Sequence, residues 1–321
     1  MATKKVRYYT KTYANTTCFI FEFIPDATNN IYELCHGWNN SKQTYGKNVL
    51  SSISNGYLVS QGYKAVAKIN SGFFYSSSYA YYDATKPSIG LAWRKYEGNL
   101  SNETGSLDRN GWHLCLNEGS KTPYMTKGYL YTEANCDPYW ALTLSYTLVV
   151  DGVKNIQVPA DYSSFTSSNP RTLIGWKSDG TNVWVVTGGR GINGSGLTAN
   201  QSADLMLSLG CVGAINADGG GSSEMIVNGQ IKNKPTDGGE RSIATAFVFY
   251  SKDTIQYVGE NEPIVDEVYP WEGFNVFDSA GQNKKIDKIS CYDSDGNKRD
   301  VDYIAVYNSE GRLSGKYGNK M

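Results

Sequence analysis

Apolar positions in this chain fall into short runs bounded by Gly, Asn, Asp and Ser, the pattern of β-strands joined by tight turns. Residues 18–24 form such a run and the polar turn 28–30 follows it, so residues 1–45 are predicted to be an irregular N-terminal β segment. Residues 148–150, the pair Asp151 and Gly152, and Val153 predict a hairpin closed by two residues. A second hairpin is predicted for 171–176 and 183–186, around the turn 178–180, and a third for 225–227 and 230–231, around Asn228 and Gly229. Residues 243–250 add a further strand.

One segment departs from this pattern. Thr198 followed three positions later by Gln201 fits a capping box, and Gly210 suits the left-handed residue that ends a helix. Between them Ala203, Leu205, Met206, Leu207 and Leu209 supply an apolar face. The next run, 212–217, reads as a short buried strand that delivers Asp218 and three successive glycines to its C-terminal end, a common way to present polar groups at a sheet edge.

After residue 253 a unit repeats every 15 residues: Phe277-Asp-Ser-Ala-Gly281, Tyr292-Asp-Ser-Asp-Gly296 and Tyr307-Asn-Ser-Glu-Gly311. Each follows a short β-type run, as in a small antiparallel meander. Asp293, Asp295 and Asn297 resemble a calcium loop, but Lys298 and Ile304 stand where such a loop needs Gly and Glu, so calcium is not expected. The predicted organisation is therefore a β segment (1–45), a main domain (46–252) and a β-repeat module (253–321). The fold class is α+β, with a β-rich antiparallel core, a few helices and a small all-β C-terminal module.

Composition narrows the function classes. A 40% hydrophobic content over 321 residues excludes disorder. Thirty Lys+Arg against 31 Asp+Glu leave no single-sign field, which argues against a nucleic-acid partner. No apolar run spans a bilayer and no signal-peptide core is evident, so membrane insertion is not expected. The expected location is cytoplasmic as made, or virion-associated if phage-encoded. Two histidines, His36 and His113, cannot build a multi-histidine zinc site. Six cysteines without a C-x-x-C pair predict mainly buried free thiols.

The chemistry concentrates in 216–225. Gly219, Gly220 and Gly221 allow successive N–H groups to converge on an anion, and Ser222 and Ser223 add hydroxyls. Arg171, Arg190 and Arg241 carry the planar fork that matches phosphate oxygens. No P-loop motif occurs and the G-x-S-x-G elbow is incomplete, which removes nucleotide triphosphatases and serine hydrolases.

These residues resemble the phosphodiester glycosidase domain of the N-acetylglucosamine-1-phosphodiester alpha-N-acetylglucosaminidase family over about residues 70–250. The matching elements are Asn70-Ser-Gly-Phe-Phe74, Arg171-Thr-Leu-Ile-Gly175, Gly188-Gly-Arg190, Ala203-Asp-Leu-Met206, Asp218-Gly-Gly-Gly-Ser-Ser223 and Asp237-Gly-Gly-Glu-Arg241. Three positions depart from the family: Ser71 replaces glycine, Gly188 an aspartate, and Glu224 a threonine or similar small residue.

The resemblance implies hydrolysis of a sugar-1-phosphodiester such as one of N-acetylglucosamine, between the anomeric carbon and the phosphate oxygen. A phosphate monoester leaves more readily than an alcohol, so cationic and amide donors can replace much of a general acid. Catalytic candidates are Asp218 as nucleophile or base, Glu240 with Glu224 as the second carboxylate, and Arg190. Substrate-binding candidates are Asn70, Gly72, Phe73, Arg171, Gly189, Gly219, Gly220, Gly221, Ser222, Ser223 and Arg241. Asp218 has the alternative role of capping its own loop. Phe73, Phe74 and Tyr75 suit a sugar-facing wall or core packing, and Trp112 and His113 suit a site or a satisfied interior. No metal or cofactor is expected, and an oligomer is compatible. Non-catalytic binding of a phosphosugar polymer, as in a phage tail component, is the competing reading.

Overall fold

The alternation along residues 18–23 shows how the main layers form: Phe19, Phe21 and Phe23 enter one core while Cys18 and Ile20 enter another on the opposite face. The computed structural model describes residues 3–26, 28–39, 44–75, 88–89, 91–95, 98–99, 101–102, 112–127, 138–158, 166–262 and 264, together with the seven C-terminal strand segments within 269–318. The chain divides into two units, Met1–Ile264 and Val265–Met321.

In the first unit the strands are β1 (Thr3–Tyr13), β2 (Thr16–Phe23), β3 (Asn30–Asn39), β4 (Thr44–Gly46), β5 (Lys64–Asn70), β6 (Ser88–Ile89) and β7 (Ala92–Arg94). There follow β8 (Gly98–Asn99), β9 (Ser101–Asn102), β10 (Trp112–Asn117), β11 (Tyr124–Lys127), β12 (Pro138–Leu144), β13 (Tyr146–Val150) and β14 (Val153–Lys154). The last are β15 (Thr172–Trp176), β16 (Asn182–Thr187), β17 (Gly213–Asn216), β18 (Met225–Val227), β19 (Gln230–Ile231), β20 (Thr245–Ser251) and β21 (Thr254–Val258).

They assemble into an eight-stranded sheet, β14-β13-β17-β15-β16-β2-β1-β21, a six-stranded sheet, β19-β18-β5-β20-β3-β4, and a five-stranded sheet, β11-β10-β12-β7-β8. Pairing within these sheets is antiparallel except between β1 and β21. All three predicted hairpins are present, as β13–β14, β15–β16 and β18–β19. The runs of the first 45 residues form longer strands than their sequence announces, with 11 residues in β1 and 10 in β3.

The three sheets enclose one aromatic core. Phe21, Phe23 and Trp184 from the first sheet, Tyr32, Phe247 and Phe249 from the second, and Trp140 and Leu142 from the third are all buried in it. Trp140 Nε1 donates to Tyr32 O at 2.9 Å, so its polar edge is satisfied inside the core. The outer face of the eight-stranded sheet is covered by the helix Ala199–Ser208 through Ala203, Leu205 and Met206. That of the six-stranded sheet is covered by Leu50, Ile53 and Leu58.

The capping box closes as the sequence predicts: Thr198 Oγ1 accepts from Gln201 N at 3.2 Å and Thr198 N donates to Gln201 Oε1 at 2.9 Å. Thr198→Ala leaves these groups unmatched and is expected to cost about 1 kcal/mol, lowering the thermal midpoint by roughly 2–4 °C in a calorimetric scan.

The second unit comprises short strands. Val276–Phe277 pairs with Asn283–Lys284, Cys291–Tyr292 with Lys298–Arg299, and Tyr303–Tyr307 with Leu313–Gly318, all antiparallel. Among the described residues each repeat thus contributes one antiparallel strand pair. The repeat turns, including the calcium-like segment from Asp293 to Asn297, lie outside the described residues. Among the described residues no helix is long and apolar enough to cross a membrane. Cys18, Cys35 and Cys211 are free thiols, and these three and Cys115 are buried.

Candidate active site

The site forms where the chain passes from one sheet to another. β17 ends on Asn216, and residues 218–224 carry the chain across to β18 in the six-stranded sheet. Asn70, at the end of β5, fastens this crossing: its Nδ2 donates to Asp218 O at 2.7 Å, and its Oδ1 accepts from Thr172 Oγ1 at 2.7 Å and Glu224 N at 3.1 Å. Asp218 N donates to Ser71 O at 2.8 Å. Asn70 is buried and all its amide contacts are spent on holding the loop, so its place is beneath the site.

A cavity of about 340 Å³ opens here, lined by Phe73, Asn169, Arg171, Arg190, Asn216, Asp218, Gly219, Gly220, Gly221 and Arg241. Phe73, Arg171, Arg190, Gly219, Gly220, Gly221 and Arg241 thus share one pocket with Asp218. Burial pushes the Asp218 carboxyl up to about 6, opposed by hydrogen bonds from Ser222 and the Gly219 N–H and by the Arg241 charge.

Arg190 and Gly191 occupy the two central positions of a tight turn, both with positive φ, between the paired Gly189 and Ile192. This turn carries the exposed Arg190 guanidinium to the glycine loop: a Cβ on Gly220 would come within 2.8 Å of Arg190 Nη2. Arg241 reaches the same place from the other side and donates to Ser222 Oγ at 3.2 Å. Asp237 lies between them, 3.7 Å from Arg190 Nη1 and hydrogen-bonded by Arg241 Nε at 2.9 Å and by its Nη2. Its carboxylate packs on Gly221, where a Cβ would lie 2.2 Å from Oδ1.

The loop's N–H groups are arranged differently from the expected convergence. The Gly219 N–H is directed to Asp218, that of Gly220 donates to Pro170 O at 2.9 Å, and that of Ser222 to Gly219 O at 3.2 Å. The Gly221 N–H has no acceptor among the described residues. An anion held here would therefore meet side-chain donors more than backbone N–H groups.

Several candidates support the pocket from outside its lining. Gly72 N donates to Thr245 Oγ1 at 3.0 Å, and a Cβ there would press on that oxygen and on Leu142. Gly189 packs on Pro170 with no room for a Cβ. Ser223 O accepts from Asn233 Nδ2 at 2.8 Å, and Ser222 is buried beneath Arg241. Arg171 lines the cavity but spends Nε on Leu197 O at 2.8 Å and Nη2 on Ser167 O, and burial lowers its affinity for its proton.

The two glutamates sit together elsewhere. Glu224 is buried, faces Glu240, and is pushed up to about 8 by burial first and by the Glu240 charge second. Glu240 accepts from Ser51 N at 2.8 Å and Ser51 Oγ at 2.7 Å. Neither glutamate lines the cavity. His113 is buried on β10 with Nδ1 2.9 Å from Thr143 Oγ1, and Phe74 packs on the outer face of the six-stranded sheet. At Gly188 any side chain would meet Asn193 O at 2.5 Å, so this backbone has no space for the aspartate common at that position.

A family model described as phosphodiester glycosidase matches residues 63–250. The SPbeta prophage-derived uncharacterized protein YomE of Bacillus subtilis (strain 168) is 37% identical over 107 residues, which make up 33% of this chain and 17% of that protein. The catalytic domain of zebrafish N-acetylglucosamine-1-phosphodiester alpha-N-acetylglucosaminidase, auto-inhibited by its pro-peptide, superposes with a TM-score of 0.55 at 16% identity, covering 76% of this chain and 81% of that one. A hypothetical protein from Synechocystis superposes with a TM-score of 0.50 at 12% identity, covering 76% and 61%. At these identities the two structures share the fold.

Proposed function

Because this chain belongs to the phosphodiester glycosidase family, we propose that it hydrolyses a sugar-1-phosphodiester, of N-acetylglucosamine or a similar sugar, between the anomeric carbon and the bridging phosphate oxygen. The observation that carries the reading is the meeting of one carboxylate, Asp218, with Arg190 and Arg241 in one cavity. In the reaction the anomeric carbon gains an oxygen from water, its bond to the phosphate oxygen breaks with both electrons, and a phosphate monoester leaves. Arg190 and Arg241 stabilise the negative charge on the departing phosphate, and Ser222 Oγ holds Arg241 beside Asp218. Asp218 attacks the anomeric carbon or activates the water that does.

In this reading Asp237 orients the two guanidinium groups, and Arg171 buttresses the pocket wall through backbone carbonyls. Glu240, one residue before Arg241, acts by fixing the arginine's loop through Ser51. The prophage origin of the partial relative fits a setting in which the substrate is a phosphosugar of a host wall.

The test is incubation of the full chain with UDP-GlcNAc and with an alkyl diester of N-acetylglucosamine 1-phosphate. Free sugar is expected from both, with UDP released from the first and the alkyl phosphate monoester from the second. Binding of these diesters with no sugar released would exclude hydrolysis and leave a binding protein.

A further inference from the structure

Glu224, one of the three positions at which the sequence departs from the family, is 2% exposed and lies outside the cavity. Its Oε1 is shielded from solvent and has no hydrogen-bond partner, and the hydrogen bond that its carboxyl makes is to a second carboxyl, that of Glu240. Glu240 accepts from Ser51 N at Oε1 and from Ser51 Oγ at Oε2. These contacts suit an ionised Glu240, the more exposed of the two, so the proton that facing carboxyls share sits on Glu224. An ionised Glu224 would put an unmatched charge in the interior beside a like charge.

The surroundings of the pair are fixed. Ser51 belongs to the short helical turn Leu50–Ser52, and Lys68 of β5 donates to Ser51 O at 2.8 Å and Ile53 O at 2.7 Å. Of the groups around Glu224, Glu240 and, behind it, Lys68 carry charge. Asn70 and Asn233, which bond the backbone on either side, are neutral amides. Asp218 and Arg241 meet each other at Ser222.

Glu240 immediately precedes Arg241, whose guanidinium donates to Ser222 Oγ at 3.2 Å. Loss of the shared proton would set two anions face to face. Glu240 can then turn to water whereas Glu224 cannot, and the backbone that places Arg241 moves with it. We propose that Glu224 is a positioning residue whose protonated carboxyl, by donating to Glu240, keeps Arg241 in the cavity. This rests on Arg241 as a phosphate ligand of the reaction proposed above, but it concerns binding and does not require turnover.

The experiment measures binding of N-acetylglucosamine 1-phosphate to the full chain by calorimetry between pH 7 and pH 9.5, where the ligand's phosphate is largely dianionic and arginine keeps its charge. Burial and the Glu240 charge hold the Glu224 proton up to about 8. The wild-type affinity is therefore expected to fall about ten- to thirtyfold across the range, the limit set by about 1.5 pH units beyond that value. Glu224→Gln keeps a neutral donor toward Glu240 and is expected to hold one affinity throughout. Arg241→Gln is expected to bind more weakly and without the alkaline fall, because the cation that the proton positions is gone. Asp218, Lys68 and the ligand are common to the wild type and Glu224→Gln, so their titrations cancel in that comparison. A wild-type affinity that stays level to pH 9.5 overturns the inference, as does a fall that either variant shares, and the wild-type and Arg241→Gln profiles decide even if Glu224→Gln fails to fold. If no glycosyl phosphate binds at pH 7, the inference falls together with the phosphate pocket. The alkaline fall without release of sugar from any diester would sustain Glu224 and remove the hydrolase reading, so the two failures are distinct.

Discussion

Asp218→Asn is expected to slow sugar release by about 10³-fold, equivalent to roughly 4 kcal/mol of transition-state stabilisation. The change keeps the side chain's size and its contacts with Ser222 and the Gly219 N–H within reach. What it removes is the charge that attacks or deprotonates water. It also removes an anion from a pocket that must hold phosphate, so KM should stay level or fall while kcat collapses, the split that marks a group acting in the transition state. The pH profile gives a second readout. Burial raises the Asp218 carboxyl to about 6, and the ionised form is the active one, so kcat/KM of the wild-type chain should climb as pH rises through about 6. The residual activity of the variant should lack that limb. Release of sugar at the wild-type rate would exclude Asp218 from the chemistry and leave the hydrolysis itself standing.

The parts of this architecture that local rules govern were legible in the sequence. The Thr198 cap, the two-residue hairpins and the short strand ending at Asp218 depend on neighbours within a few positions, and each forms as expected. Roles set by distant partners were not. Asn70 looked like a ligand-facing polar residue, but Thr172 and the 218–224 crossing, 102 or more positions away, absorb its whole amide. Asp237 read as part of a glycine turn, and only the meeting of Arg190 with Arg241 makes it their shared counter-ion. Asn169 carries no motif signal, and Asn216, although it opens the 216–225 segment, has no feature there that assigns it a role. The comparisons show the family to which the chain belongs, whereas the three-sheet core, built from residues as far apart as Phe21 and Phe249, has no local signature.

Glu224→Gln is expected to make the chain more stable at alkaline pH. In the folded chain the Glu224 carboxyl faces Glu240, is shut off from water and holds its proton up to about 8, against an ordinary value of 4.5. Between those two pH values the folded chain binds a proton that the unfolded chain has released. Stability contributed by this group is therefore full below about 4.5, falls as pH rises, and is lost once pH passes about 8. A shift of this kind corresponds to a few kcal/mol, roughly 1.4 for each unit of pH across the window. Glutamine is neutral at every pH, and its amide N–H can donate to Glu240 as the protonated acid does. The two proteins should thus unfold at similar temperatures near pH 5 and diverge above it, the variant melting roughly 5–10 °C higher at about pH 8.5. Asp218 shifts in the same direction but over a lower range and is present in both chains, so it cancels in the comparison. Lys68, which donates to Ser51 O at 2.8 Å and Ile53 O at 2.7 Å behind the pair, cancels likewise. Melting curves that stay parallel from pH 5 to pH 9 would show that the two glutamates do not share a proton. Divergence would identify that proton as a link between the segment carrying Asp218 and the one carrying Arg241, since Glu224 ends the first and Glu240 immediately precedes the arginine of the second.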